Sequence, residues 1–263
     1  MPAIRWTSLT LLTLGYCIAL SFGDLSLPAA VTFGLLVMAG ICVTQFSQRT
    51  IVSFGHGLFI ALAFGLAIHW LPGFFSERVI AAQRLSPEAA PFSMYFYLDK
   101  PLIGFWIVLA CPWLLPAIPA RRALKTAVLT LLGTSSVCMT LAVMLGVTGW
   151  SPKWPAQGVL WLLNNLLLVT LTEELFFRAY LQGGFQRLLQ RFPYGPTLAL
   201  FAASALFGLA HLGSGWQWAL LAGIAGTGYG LAYRFGGLQA AVATHFGLNL
   251  LHFSLFTYPV FNR

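Results

Sequence analysis

Apolar residues occur along the chain in long runs, and polar residues gather in the short segments between them. A helix of about 20 apolar residues crosses a bilayer, and only helices and closed barrels satisfy every backbone polar group in lipid. The pattern therefore predicts an all-α, polytopic membrane bundle of eight or nine transmembrane helices. The runs lie near 8–22, 26–45, 51–72, 101–119, 124–147, 157–181, 196–212, 216–233 and 237–257.

The first run is short, and Arg5 precedes it as a basic residue precedes the core of a secretory signal peptide. It has no convincing small-x-small cleavage site, and further apolar runs follow at once. We therefore expect a retained first helix rather than a removed leader. With this helix the predicted count is nine, and without it eight.

Composition supports the membrane assignment. Of the 263 residues, 59% are hydrophobic and 8% are charged, whereas a soluble domain carries about 25% charged residues. The net charge of +8 comes from basic residues in the loops between apolar runs, so it does not indicate a nucleic-acid partner. We expect an integral, multi-pass membrane protein, placed in the plasma (inner) membrane if the host is bacterial.

The basic residues also predict an orientation. In a nine-helix topology one side collects Arg5, Arg49, Arg121, Arg122, Lys125, Arg187, Arg191 and Arg234. The other side holds Lys153, Arg263 and a longer loop of mixed charge. Because cytoplasmic loops are enriched in lysine and arginine, we expect the N-terminus in the cytoplasm and the C-terminus outside.

The chain is expected to have two parts. Residues 1–125 hold about four apolar runs and one long polar connection, Phe74–Lys100, which we interpret as a solvated connector. Residues 126–263 carry nearly all the polar groups at membrane depth. The second part is therefore where we expect the functional residues.

Two sets of small residues are interpreted as packing groups. The glycines at three- and four-residue spacing predict a smooth helix face for close contact: Gly223, Gly226 and Gly230. The cysteines fall in apolar runs without a CxxC pattern, which favours small buried hydrophobes over a metal or disulfide site: Cys17, Cys42, Cys111 and Cys138.

Two adjacent glutamates interrupt the sixth apolar run. Of the chain's six acidic residues, Glu173 and Glu174 are the only two inside a predicted span. An ionisable residue at membrane depth marks, by default, a functional site facing the bundle interior or a wet cavity. Glu174 and Arg178 are four residues apart and can pair on one helix face, whereas Glu173 points about 100° away. The ion pair accounts for Glu174, so Glu173 becomes the candidate for chemistry.

Candidate partners for Glu173 follow in the next spans. The stretch "FGLAH" puts Phe207 and His211 on one helix face, and "HFGLNLLH" puts His245, Asn249 and His252 on another. Three helices that bring a glutamate, a histidine and a histidine with an asparagine to one interior supply what amide hydrolysis needs. Two other histidines stand alone in apolar runs and are interpreted as packing residues: His56 and His69.

A shared site sets a condition on helix length. At about 1.5 Å per residue, His211 and Asn249 lie roughly 18–22 Å from the start of their helices. Glu173 reaches a similar depth only if its helix continues through two glycines to Leu189. The shared site therefore predicts one long helix rather than a helix that stops near residue 181.

These residues carry a resemblance to a known family. The stretches "EELFFR", "FGLAH" and "HFGLN" resemble the EExxxR, FxxxH and HxxxN motifs of the CPBP intramembrane proteases. This family is also called the ABI or CAAX-protease-and-bacteriocin-processing family. The resemblance covers residues 157–255. Each motif alone is a weak signal, but three in the right order on apolar helices are a strong one.

The resemblance implies a glutamic-type intramembrane protease. Glu173 would be the general base that activates a water, and His211 would help to hold that water. His245 and Asn249 would stabilise the oxyanion of the tetrahedral intermediate. The two other residues of the first motif would give structural and electrostatic support: Glu174 and Arg178.

The family resemblance leaves metal dependence open, because the family has often been described as metalloproteases. Glu173, His211 and His245 would form a plausible zinc set. The sequence has no HExxH motif, however, and asparagine is a poor zinc ligand. We therefore favour a mechanism without a cofactor and keep zinc as the alternative.

Three functions remain open. The first is an endopeptidase that cuts near the C-terminal tail or membrane anchor of a membrane-associated protein in the lipid bilayer. The second is a proton-coupled transporter that uses the same residues as a relay; it predicts inverted repeats, and the sequence shows no convincing pair. The third is a catalytically silent scaffold or immunity protein. A protease substrate could be a lipidated CAAX protein or an unlipidated tail-anchored peptide, such as a sorting signal, pheromone or bacteriocin precursor.

Overall fold

The chain is mainly helical and divides into two compact units. The structure, a computed structural model, describes residues 2–262. Unit 1 comprises the described residues up to Arg78 together with Tyr95–Trp113. Unit 2 comprises Val79–Met94 and the described residues from Leu114 onward. The expected division at residues 125 and 126 stays a prediction about the sequence.

Unit 1 is built from four helices: α1 (Pro2–Phe22), α2 (Ala29–Gln45), α3 (Arg49–Ala67) and α4 (Pro101–Ala110). Trp106 of α4 donates its indole N–H to the Leu36 carbonyl at 2.9 Å, and its ring stacks on Phe59 at 3.8 Å between centroids. This indole therefore ties α2, α3 and α4 together.

Two features of unit 1 correct the sequence analysis. The run expected at 101–119 gives a helix that ends at Ala110, because Pro112 has no N–H for a further helical bond. His69 lies beyond the end of α3 with a φ of 57° and donates Nδ1–H to the Asp99 carboxylate at 2.8 Å. His69 is therefore not in an apolar helix, although its ring does pack, stacked on Tyr97 at 3.7 Å between centroids, whereas His56 lies edge-on to Trp106 inside α3.

The long polar connection contains a hairpin that the sequence analysis did not predict. Strands β1 (Glu77–Gln83) and β2 (Phe92–Phe96) pair in a two-stranded sheet. Their β-branched and aromatic residues favour strands, but a run of five to seven residues gives little periodicity to detect. The connector is therefore partly folded into two strands, in which most residues are exposed or half-exposed.

Unit 2 contains four helices: α5 (Ala120–Met144), α6 (Gly158–Leu188), α7 (Gly195–Ala210) and α8 (Trp216–Leu255). α8 is interrupted at Gly237, whose φ of 73° and ψ of −173° are not helical. This break separates the two runs that the sequence predicted as distinct spans. α6 continues through both glycines to Leu188, so the predicted long helix is confirmed.

Contacts define two opposite ends of unit 2. At the proximal end (residues 114–125, 183–197 and 233–237) Arg122 donates to the Phe235 carbonyl at 2.6 Å, and Arg234 donates to Thr197 at 3.2 Å. At the distal end (145–157, 211–218 and 252–262) the Ser151 N–H donates to Leu255 at 2.9 Å. α5 and α7 run from the proximal to the distal end, and α6 runs back.

The chain is an integral membrane protein. In the described part, three helices are long and apolar enough to cross a bilayer: Arg49–Ala67, Ala120–Met144 and Gly158–Leu188. Shorter apolar helices accompany them: Ala29–Gln45, Pro101–Ala110 and Gly195–Ala210. The mainly helical membrane fold is thus confirmed, while the count of eight or nine spans and the orientation stay predictions. Arg263, used in the charge comparison, lies outside the described residues.

Candidate active site

Four ionisable side chains are connected in the middle of unit 2. Arg178 contacts Glu174 through Nε and Oε2 at 3.3 Å, as their spacing predicted. The other Glu174 oxygen accepts a hydrogen bond from His245 Nδ1 at 2.8 Å. His245 Nε2 lies 4.0 Å from the Glu173 carboxylate. His245 therefore joins the two glutamates, which leave the helix in different directions.

The two glutamates differ in their access to solvent. The Glu174 side chain is 0% exposed, as is that of Arg178, whereas Glu173 keeps 12%. A buried charge is tolerated when it is paired and hydrogen-bonded, and Glu174 meets that condition through Arg178 and His245. Of the two carboxylates, only Glu173 can reach a water molecule in this arrangement.

Arg178 is enclosed by aromatic rings and by a glycine. Its guanidinium carbon lies 5.3 Å from the centre of the Phe207 ring and 5.9 Å from that of Tyr229, within the range of a cation–π contact. A Cβ on Gly226 would lie 3.3 Å from Arg178 Nη2. The predicted close contact along the glycine face of α8 is confirmed, and Gly226 also leaves space for the guanidinium.

Aromatic rings also orient the two motif histidines. His245 is stacked on Tyr229 at 4.3 Å and lies edge-on to Phe207 at 5.7 Å. His211 follows the last residue of α7 and donates Nδ1–H to the Phe207 carbonyl at 2.8 Å. This bond leaves His211 Nε2 with a lone pair when the ring is neutral, so it can accept a hydrogen bond from water.

Asn249 is held by a second asparagine. Its Nδ2 donates to Asn165 Oδ1 at 3.2 Å, and the same oxygen accepts the Thr170 hydroxyl at 3.2 Å. Asn165 and Thr170 bound a π-helical stretch of α6, which brings residues five apart onto one face. An amide nitrogen has two N–H groups, so Asn249 keeps one for another acceptor.

A cavity of about 100 Å³ joins these groups. Its lining includes His211, His245 and Asn249 of the predicted site, and also His252. A volume of about 10–15 Å³ on this measure already holds one water, so the cavity has room for several. Glu173 is connected to the cavity through its contact with His245, and it is not itself part of the lining.

The donor set does not assemble into a metal site. Among the described residues no group of three His, Cys, Asp or Glu side chains is arranged to hold a metal ion. His245 Nδ1 is engaged by Glu174 and His211 Nδ1 by Phe207. These bonds fix the two rings and leave Nε2 of each histidine available as a ligand, so zinc at Glu173, His211 and His245 stays the alternative although the described donors are not gathered around one point.

The family comparison agrees with the region that carries the site. Residues 155–251 match the family described as type II CAAX prenyl endopeptidase Rce1-like. Residues 155–251 are thus similar to this family and are called the Rce1-like segment below. The match confirms the resemblance to the CPBP proteases over this segment, and all six predicted site residues fall inside it. A search of curated proteins and a search of solved structures give no match.

Three residues of the site were missed by the sequence analysis. Asn165 and Thr170 hold Asn249, and Tyr229 stacks on His245. The sequence did contain a signal for Asn165, because the asparagine side chains in "LLNNLLLV" are costly to place inside a membrane span and usually have a function there. Tyr229 offered none, because an aromatic residue in an apolar helix is ordinary.

Proposed function

We propose that the Rce1-like segment forms the active site of a glutamate-dependent intramembrane endopeptidase. The family match supports a CAAX-type endopeptidase, and one observation supports the choice of base. Glu173 is partly exposed and adjoins His245, whereas Glu174 is sealed between His245 and Arg178. The general base must reach water, so Glu173 takes that role and Glu174 supports His245.

In the first step Glu173 removes a proton from a water, and the water oxygen attacks the carbonyl carbon of the scissile peptide bond. His211 Nε2 accepts a hydrogen bond from the same water and orients it. A positioned general base contributes about 10²–10⁴-fold to the rate of such a step. The reaction places negative charge on the former carbonyl oxygen.

That oxyanion is stabilised by two donors, His245 Nε2–H and the second N–H of Asn249. For Nε2 to donate while Nδ1 donates to Glu174, the imidazole carries both protons. The two carboxylates, Arg178 and this imidazolium then sum to zero charge, which suits a buried cluster. When the intermediate collapses, the C–N bond breaks and Glu173 returns its proton to the leaving amine.

The proposed substrate is a membrane-associated protein cut near its C-terminal tail or membrane anchor. The family name points to prenylated proteins, and an unlipidated tail-anchored peptide is the other proposed substrate. Trp218, Leu221 and Leu248 give the cavity a largely apolar wall beside the polar groups. This chemistry fits a peptide segment that leaves the lipid only at its scissile bond.

The decisive experiment is cleavage by the purified chain in reconstituted bilayers. Prenylated and unlipidated tail-anchored substrates are offered to wild type, Glu173→Gln and Glu88→Gln, where Glu88 is exposed and is not among the residues that line the cavity. We expect Glu173→Gln to lower kcat by about 10²–10⁴-fold and Glu88→Gln to leave it unchanged. A Glu173→Gln variant that cleaves at the wild-type rate refutes the proposed base.

A chelator arm tests the metal-free mechanism in the same assay. We expect unchanged cleavage after chelation. Activity that disappears with chelation and returns with zinc would show that Glu173 and the histidines act as ligands instead. A wild type that cleaves no substrate but conducts a current sensitive to Glu173→Gln would favour the transporter.

A further inference from the structure

The catalytic cavity lies in the distal half of unit 2. Its walls come from the end of α5, from the following Val147 and Thr148, and from the first part of α8 with Trp218. His211 directly follows the last residue of α7. Asn249 is about 9 Å from the distal end of α8 and about 18 Å from the break at Gly237, at 1.5 Å per residue.

The charges of unit 2 are concentrated at the opposite end. The proximal end carries six exposed basic side chains: Arg121, Arg122, Lys125, Arg187, Arg191 and Arg234. No acidic residue accompanies them in the described part of that end. The distal end has Lys153, and the neighbouring segment Val79–Met94 adds one base, Arg84, and one acid, Glu88.

This asymmetry assigns the ends of unit 2 to the two sides of the membrane. Lysine and arginine in short loops close to span ends are retained in the cytoplasm. The proximal loops are short. Residues 189–194 connect α6 to α7, and the two parts of α8 are joined directly at Gly237. The proximal end therefore faces the cytoplasm and the distal end faces away from it.

From these two observations, we infer that the active site receives its water and its substrate from the extracytoplasmic side of the membrane. The inference rests on the proposed endopeptidase for what happens in the cavity, but the sidedness rests on charge and geometry alone. The substrate class follows. It is a membrane-anchored protein or peptide whose scissile segment lies outside the cytoplasm. Of the two substrates proposed above, this selects the unlipidated tail-anchored peptide over a prenylated protein held at the cytoplasmic leaflet.

Sidedness is tested first without reference to activity. In a full-length chain with all four cysteines replaced by alanine, single cysteines are introduced by Trp150→Cys at the distal end or Tyr194→Cys at the proximal end. Both positions are well exposed, at 67% and 74%. A membrane-impermeant maleimide is applied to intact cells, or to spheroplasts where an outer membrane is present, and again after permeabilisation.

We expect Trp150→Cys to be labelled in intact cells and Tyr194→Cys only after permeabilisation. The reverse pattern, or labelling of both cysteines from the same side, overturns the inference. Both cysteines are first labelled in detergent-solubilised protein, which shows that each is accessible before its side of the membrane is scored.

The second arm uses two fusion substrates with the same cleavable segment and anchor, inserted in opposite orientations. We expect wild type to cut the fusion with the segment outside at least tenfold faster, and Glu173→Gln to cut neither. Faster cutting of the cytoplasmic segment overturns the inference. If Trp150→Cys is labelled from outside and neither fusion is cut, the sidedness stands and the endopeptidase proposal fails.

Discussion

At the scale of single residues, two neighbouring carboxylates have different surroundings. Glu174 is fully buried and bound on both oxygens, and Glu173 retains contact with solvent. A buried ion pair adds little net stability, yet removing one partner leaves an uncompensated buried charge. Mutation of one member of this cluster should therefore lower the free energy of unfolding by more than the loss of its few contacts would.

Arg178→Leu tests this expectation. The change leaves Glu174 with His245 as its remaining partner, and we expect the free energy of unfolding to fall by about 3–5 kcal/mol. Denaturant titration in detergent measures the loss. Arg121→Leu is the matched control, since Arg121 is exposed, and a loss of equal size in both variants would contradict the role of Arg178.

Asn165→Leu tests the support of Asn249. Without the Asn165 oxygen, the Asn249 amide loses the bond that fixes its rotation, so its second N–H points less reliably at the oxyanion. We expect kcat to fall by up to about 10²-fold with KM nearly unchanged. Steady-state kinetics measure kcat and KM separately. Asn164→Leu on the same helix serves as the control.

A fall in thermal stability of Asn165→Leu that matches the fall in kcat would mean that Asn165 is only structural. Double-mutant cycles provide a readout that needs no cleavage. Asn165→Leu combined with Asn249→Leu should cost less free energy of unfolding than the sum of the single changes. Additive costs would show that the two amides are independent.

The sequence predicted part of this site for clear reasons. Glu174 and Arg178 pair within one helix, so four-residue spacing was sufficient. The bond between Glu174 and His245 joins residues 71 apart, and no local pattern reports such a contact. Asn165 was missed because its role requires a π-helical turn, which ordinary helical spacing does not anticipate.

At the scale of elements, α6 is the helix that organises the site. Two π-helical stretches, Asn165–Thr170 and Leu175–Gln182, flank the short α-helical turn Leu171–Glu174. Such wide turns are rare in proteins, and those that occur are frequently found at functional sites. Here the first places Asn165 and Thr170 together, and the second contains Arg178.

The break in α8 is the second element that the site requires. Gly237 has a backbone conformation that is essentially restricted to glycine, and other residues pay about 1–3 kcal/mol in it. An added Cβ would also lie 2.7 Å from Ile118. The break sets the direction of the part of α8 that carries His245.

We expect Gly237→Ala to lower the free energy of unfolding by at least about 1–3 kcal/mol and to lower cleavage through the displaced His245. Gly133→Ala is the matched control, because no described atom lies within 4 Å of its added Cβ. That variant should be neutral or stabilised by up to about 1 kcal/mol. Denaturant titration compares the pair, and equal stability of both variants would contradict a special role for the break.

The predicted helices agree with the structure where an apolar run is uninterrupted. They differ from it where a proline or a short strand lies within the segment. The long α6 followed from a depth argument that needed Glu173 level with residues of two other helices. α4 stopped at Ala110 because of Pro112, which the apolar run alone did not reveal. The β1–β2 hairpin was missed because each strand is only a few residues long.

At the scale of the whole molecule, the candidate site belongs to unit 2 alone. Every residue that lines the cavity and every charge in the cluster lies there, as does the Rce1-like segment. Composition was enough to predict a helical membrane protein, because 59% hydrophobic residues exclude a soluble domain. The direction in which the cavity faces required the structure, since it depends on which helix halves form the walls.

The pair Glu174–Arg178 also has a consequence for biosynthesis. α6 is made before the residues that later complete its site, and it carries two carboxylates and a guanidinium into the bilayer. Each charge at mid-membrane costs about 2.5–3.5 kcal/mol on insertion scales, and His245 is still 71 residues from being synthesised. Arg178 is the only counter-charge that enters together with Glu174, on the same turn of helix. By pairing with Glu174, the residue that supports the finished site thus also lowers the cost of inserting its helix.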